Sequence, residues 1–147
     1  MGLTPAKDSI DIGILVRDIK KSLDFYEGIF ALKHIEAVQT PFGMIYRLRF
    51  GTSDVKLLDS KTIPPVNPIG LKPPQAGDSF TFLLTFEVQK LYSLCLTLKE
   101  KNVEFLLPET QIRPGTHVAM IKDPDGNIIE LIERKDSAAE LLKDSTA

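Results

Sequence analysis

The chain carries an internal echo. Near its start Ile10, Ile12, Ile14 and Val16 alternate with other residues, and Arg17-Asp18-Ile19 leads into a helical pattern. Further on Phe82, Leu84, Phe86 and Val88 alternate in the same way, and Gln89-Lys90-Leu91 leads into a second helical pattern. Period-two alternation marks a half-buried strand, and apolar residues recurring every three or four positions mark a helix packed on it. A strand-then-helix unit written twice predicts two copies of one module, with a ligand pocket where the copies meet.

The first copy begins with a strand over residues 9–16. A helix follows from Asp18, a suitable N-cap, with Leu23, Tyr26 and Phe30 inward beside Phe25 and Ile29. Lys20, Lys21, Asp24 and Glu27 take its outer face, and Gly28 weakens its end. Residues 33–39 read as a strand, Thr40-Pro41-Phe42-Gly43 as a turn, and residues 44–50 and 54–58 as a hairpin around Gly51-Thr52-Ser53. The second copy has a strand over 80–88 and a helix over 90–101 with Leu91, Leu94, Cys95 and Leu98 inward. Strands at 103–107 and 117–122 follow, and Asp123-Pro124-Asp125-Gly126 turns the chain into residues 127–133.

Each copy is thus β-α-β-β-β: module one spans about 9–59 and module two about 80–134. Half of the ten prolines fall in residues 60–79. Proline lacks the donor a central strand needs, so that segment reads as a linker. Residues 135–147 read as a polar tail with a short Ala-Leu-rich stretch. The expectation is an α+β fold forming a single domain over 1–147, a length that suits one compact domain.

A net charge of −2 offers no electrostatic case for nucleic acid or an anionic membrane surface. No apolar run reaches the roughly 18 residues that span a bilayer. Residues 1–11 lack the pattern of a secretion signal. The single cysteine, Cys95, cannot form an internal disulfide. A cytoplasmic protein is expected.

The segments 14–26 (Ile-Leu-Val-Arg-Asp-Ile-Lys-Lys-Ser-Leu-Asp-Phe-Tyr) and 123–131 (Asp-Pro-Asp-Gly-Asn-Ile-Ile-Glu-Leu) resemble the vicinal-oxygen-chelate superfamily. That superfamily includes glyoxalase I, bleomycin-resistance proteins and extradiol dioxygenases. The resemblance covers about residues 9–134 and implies paired βαβββ modules whose mixed sheets curl, partly open, around a ligand cavity. It also implies a divalent metal held by one side chain from the first strand and one from the last strand of each module. The first-strand position, five residues before the closing valine, is Asp11 in module one and Leu83 in module two. The last-strand position is Glu130 in module two. Laying residues 54–58 over 127–131 selects Leu57 in module one. The expected site is therefore degenerate, with two carboxylates and two leucines.

Alternation gives the facing independently. If Ile10, Ile12, Ile14 and Val16 cover the helix, then Asp11, Gly13 and Leu15 point the other way, as do Leu83, Thr85 and Glu87 in the second copy. Arg47 and Arg49 share one face of their strand and Met44, Tyr46 and Leu48 the other, and alternation does not decide which set meets the ligand. Arginines there imply an anionic ligand; methionine and tyrosine imply an apolar one.

The candidate catalytic residues are Glu130, as a general base, and Asp11. The candidate ligand contacts are Leu57, Leu83, Tyr46, Arg49, Thr85 and His117. Asp11 and Glu130 with waters are the candidate ligands for magnesium, manganese or zinc, should a divalent metal bind. Two readings of function stand side by side: a metal-poor lyase or isomerase using Glu130, and a non-catalytic protein that sequesters a hydrophobic small molecule. The resemblance also implies a homodimer.

Overall fold

The structure is a computed structural model that describes Gly2 and residues 4–41, 43–64 and 83–135. Most of the proline-rich segment and nearly all of the C-terminal tail lie outside the described residues. The chain divides into two compact units, residues 1–80 and 81–147.

In the first unit, strands β1 (Ile12–Val16), β2 (Lys33–Thr40), β3 (Gly43–Phe50) and β4 (Ser53–Asp59) form one four-stranded sheet in the order β1-β4-β3-β2. Strand β1 runs parallel to β4, and the remaining pairs are antiparallel. The sheet is therefore mixed, with the first and last strands of the module side by side. Helix α1 (Ile19–Leu23) packs on β4. Asp18 caps it as expected, its carboxylate accepting from the Lys21 amide at 3.2 Å.

The helix then departs from expectation. Asp24–Ile29 is π-helical, and the Phe30 amide reaches back to the Phe25 carbonyl at 2.9 Å. In a regular helix neighbours diverge by about 100° around the axis, which would carry one of Phe25 and Tyr26 toward solvent. Widening the turn buries both, with ring centroids 5.0 Å apart in an edge-to-face contact. Ala31, with φ of 55°, ends the run before Leu32 returns to the core.

The core of this unit is one face of the sheet: Ile14, Val16, Leu48, Val55 and Leu57, closed by Phe25, Tyr26 and Leu32. Each such side chain contributes about 1.5–3 kcal/mol by leaving water. Ile10 lies before β1 and is exposed, and Ile12 is only partly covered, so the covered face of β1 is shorter than the alternation implies.

The second unit repeats the plan. Strands β5 (Leu83–Glu87), β6 (Phe105–Arg113), β7 (Thr116–Lys122) and β8 (Ile128–Arg134) form a four-stranded sheet in the order β5-β8-β7-β6, with β5 parallel to β8. Helix α2 (Leu91–Glu100) buries Leu91, Cys95 and Leu98 against β6, β7 and β8. Its N-cap, Lys90, has φ of 55° and no capping side chain of its own. Glu133 on β8 supplies the cap, its carboxylate accepting from the amides of Lys90 at 2.6 Å and Leu91 at 3.4 Å.

Strand β6 is longer than the expected 103–107, because it continues through Pro108 with register shifts along its length. It is an edge strand, where a missing donor and bulges are tolerated. The architecture is otherwise the expected α+β pair of βαβββ modules.

The β2–β3 turn depends on Gly43, whose φ is 129° and whose Cβ position lies 3.0 Å from Thr62 Oγ1 and 3.1 Å from Leu58 Cδ1. Gly43→Ala is expected to lower unfolding free energy by roughly 1–3 kcal/mol in chemical denaturation. Gly13→Ala, where an added Cβ meets nothing within 4 Å, is the control and is expected to be neutral or mildly stabilising.

Candidate functional site

Directly paired residues on neighbouring strands share a face, so the register assigns every candidate side chain to the covered or the open side of its sheet. In the first unit Leu57 pairs with Ile14 on β1 and with Tyr46 on β3. Ile14 and Leu57 are both buried in the helix-covered core. Leu57 and Tyr46 therefore belong to the covered face, opposite the face on which alternation puts Asp11. Tyr46 instead lies edge-on to the ring of His34.

The open face carries Gly13, Lys56, Arg47 and Glu36 in one row across the sheet, with Asp54, Arg49 and Lys33 in the next. The alternation that left the arginines undecided is resolved: they share the open side with Gly13 and Lys56.

The second unit shows which residue of β4 corresponds to Glu130. Thr85 pairs with Glu130 across β5 and β8, just as Gly13 pairs with Lys56 across β1 and β4. Lys56, not Leu57, thus occupies in module one the place that Glu130 occupies in module two. The signal was available in the sequence: Val55-Lys56-Leu57 matches Ile129-Glu130-Leu131 as an apolar-charged-apolar triplet.

Around Lys56 the open face is a bonded charge network. Asp54 is buried and accepts from Arg47 Nε at 3.1 Å, from an Arg47 terminal nitrogen at 2.8 Å and from Arg49 Nε at 2.9 Å. The Arg49 and Arg47 hydrogen bonds hold its carboxyl well below the usual range, at about 2. The other Arg47 terminal nitrogen donates to Glu36, and these two carboxylates push the Arg47 guanidinium further toward its charged form.

Asp11 is likewise engaged. Its Oδ1 accepts from Lys7 Nζ at 2.5 Å and from the Asp54 amide at 2.8 Å, and its Oδ2 lies 3.9 Å from Lys56 Nζ. The Lys7 bond, followed by the Asp54 amide, lowers its pKa. Asp11 is an ionised carboxylate already facing two ammonium groups.

The open face of the second unit differs in character. Glu130 Oε1 accepts from the Thr85 hydroxyl at 3.2 Å, and its row continues to Met120. Ile128, Ile132 and Val118 share that side. The backbone of Leu83 pairs with Ile128, which puts its position on this face too. His117 pairs with Glu133, the α2 cap, and with Gln111, so it belongs to the covered side. Its Nδ1 bonds Glu109. Nearby Cys95 is buried, and desolvation, then the Glu109 charge, push its thiol up.

Among the described residues, no three His, Cys, Asp or Glu side chains come together as a metal's ligand set. No helix there is long and apolar enough to cross a membrane.

Comparison with known proteins fits this architecture. The profile of the Glyoxalase/Bleomycin resistance protein/Dioxygenase superfamily matches residues 10–131. The chain is 26% identical over 121 residues to a lactoylglutathione lyase of Neisseria meningitidis, covering 82% of this chain and 86% of that one. It is 27% identical over 130 residues to a probable lactoylglutathione lyase of Vibrio cholerae, covering 86% and 90%. Among solved structures, it is similar to TnmS3, an antibiotic binding protein from a Streptomyces species, with a TM-score of 0.64 and 22% identity over 89% of this chain and 99% of that one. An integron cassette protein of V. cholerae gives a TM-score of 0.66 at 18% identity, over 90% and 98%. At these identities the structural likenesses concern the fold.

The Asp54 clamp makes stability pH-dependent with a defined sign. A carboxyl lowered from 3.8 to about 2 on folding stabilises the fold above 3.8, and that contribution disappears as pH falls through about 2. Thermal melts of wild type and Asp54→Asn are expected to differ most above pH 4 and to converge as pH approaches 2. A constant difference across that window would contradict the assignment.

Proposed function

The chain belongs to the Glyoxalase/Bleomycin resistance protein/Dioxygenase superfamily, and from that premise we propose that it is a small-molecule-binding member with a degenerate metal site that works without a bound metal. One observation carries the reading. Lys56 holds the open-face place equivalent to Glu130, and its ammonium, with that of Lys7, faces Asp11. A lysine has three donors and no lone pair for a cation while it stays charged. A divalent ion at Asp11 would have to displace one ammonium and lie beside another. Oxygen-seeking ions such as magnesium and manganese prefer carboxylates and water, and zinc takes imidazole, thiolate or carboxylate. The residues present do not fit a metal.

Ligand contact in this reading falls on the open faces: Glu130 and Thr85 beside Ile128 and Met120 in the second unit, and Arg49 beside Lys56 in the first. An apolar strip with a few placed polar groups is the usual make-up of a small-molecule site. The fold shared with TnmS3, an antibiotic binding protein, is in keeping with capture rather than turnover. The protein would act in the cytoplasm, as the unpaired buried Cys95 suits, and as a homodimer.

A second reading rests on the Glu130–Thr85 pair. A carboxylate on an apolar strip can remove a proton from a bound carbon acid, which would make the protein a metal-independent lyase or isomerase, in line with its lactoylglutathione lyase relatives.

Calorimetric titration with zinc, nickel, manganese and magnesium is expected to show no stoichiometric binding. Small-molecule screening by thermal shift is expected to give hits that persist in chelator. Tight one-to-one metal uptake, lost in Glu130→Gln, would contradict the proposal. Glu130→Gln should weaken the hits if the protein is a binder. Chelator-resistant turnover of a hit, lost in Glu130→Gln, would favour the second reading instead.

A further inference from the structure

The open face of the first unit is electropositive in an acidic chain. Lys33, Arg47, Arg49 and Lys56 stand there against Glu36 and Asp54, while Lys7 and Asp11 neutralise each other. The chain as a whole carries a net charge of −2. Cations placed directly opposite one another, as Arg47 and Lys56 are, repel unless an anion lies between them.

The two arginines are used differently. All three Arg47 guanidinium nitrogens donate, two to Asp54 and one to Glu36. Arg49 spends only Nε, on Asp54 Oδ1, and among the described residues its two terminal nitrogens have no partner. The side chain is 41% exposed, so those nitrogens are presented rather than buried. Asp54, anchored at 3% exposure, fixes the guanidinium plane. An arginine fixed through Nε with its terminal pair outward is preorganised to receive an oxyanion in fork geometry. Lys56, whose ammonium stands 3.9 Å from Asp11 Oδ2, lies diagonally across the β3–β4 ladder from Arg49, a spacing of roughly 7–8 Å between backbones that its long side chain can span toward a shared anion. Beside Lys56 on the same face, Gly13 leaves its Cβ position open.

We propose that Arg49 and Lys56 form an oxyanion subsite that recognises a carboxylate or phosphate monoester group on the ligand, with Asp54 as the positioning residue. The proposal rests on the open faces being ligand-binding surfaces, as argued above, and adds the chemical class of what binds.

The test is a two-dimensional NMR titration of the full chain with benzoate, phenyl phosphate and the uncharged benzamide. The expected result is that one or both anions shift the Arg49 Nε–H and Gly13 amide signals, and bind about ten-fold or more tightly than benzamide. Which anion binds better identifies the group. Arg49→Ala, which leaves Asp54 its two bonds from Arg47 and whose amide spectrum and thermal melt check that it is folded, should bring the anions down to the benzamide level. Arg49→Lys should restore only part, since an ammonium cannot make the fork. Benzamide binding as tightly as the anions, or anion binding unchanged in Arg49→Ala, would overturn the subsite and leave the small-molecule reading standing. A protein that binds none of the three, nor any hit in the chelator-resistant screen, would overturn both.

Discussion

The parallel pairing of the first strand with the last strand in each module is the constraint on which the rest depends. It joins residues far apart in sequence, Ile12 with Val55 and Leu83 with Ile128, and it fixes the face of every side chain on those strands. Because side chains alternate with a period of two, a register one residue different would exchange the two faces wholesale. The core answers to that register. Ile14, Val16, Val55 and Leu57 meet on the covered side, and the polar residues between them are left on the other. A one-residue slip of β4 against β1 would turn Lys56 and Asp54 beneath the helix, at a cost of several kcal/mol for each unpaired ion.

From that register follows the division of labour between the two sheets. The first unit's open face is a charge network organised by a buried aspartate, and the second unit's is an apolar strip bearing Glu130 and Thr85. The two modules thus keep one fold and carry different chemistry on corresponding positions. Glu130 and Lys56 show this most plainly: the same place in the strand ladder holds a carboxylate in one copy and an ammonium in the other. A fold can be conserved while its site is rewritten, because the covered face sets packing and the open face is free to change.

Much of this was legible in the sequence. The alternation of Ile14 and Val16 and of Leu84 and Phe86, the Asp18 cap and the Asp123–Gly126 turn were enough to lay out two βαβββ modules. What the sequence left unread has physical causes. The π-helical turn depends on how Phe25, Tyr26 and Phe30 pack together, which periodicity does not report. Strand β6 runs through a proline because it is an edge. Aligning the residues after the two hairpin turns selects Leu57, but those turns differ by one residue in how they enter β4 and β8. Strand pairing counts from the partner strand instead, and it substitutes Lys56. Alternation leaves the facing of Tyr46 open and says nothing of His117, whereas their cross-strand partners, Leu57 and Glu133, put them on the covered sides. The Asp54 clamp was invisible because it needs β3 and β4 to be paired before its three residues meet.

The account therefore stands or falls on which way residues 56 and 57 point, and methyl and methylene NOE spectroscopy reads that directly. It predicts NOEs from the Leu57 methyl groups to Ile14 and Val16, and from the Lys56 side chain to the Gly13 Hα and the Arg47 side chain. Leu57 methyl NOEs to Gly13 and Arg47, with Lys56 contacting Ile14 instead, would contradict it.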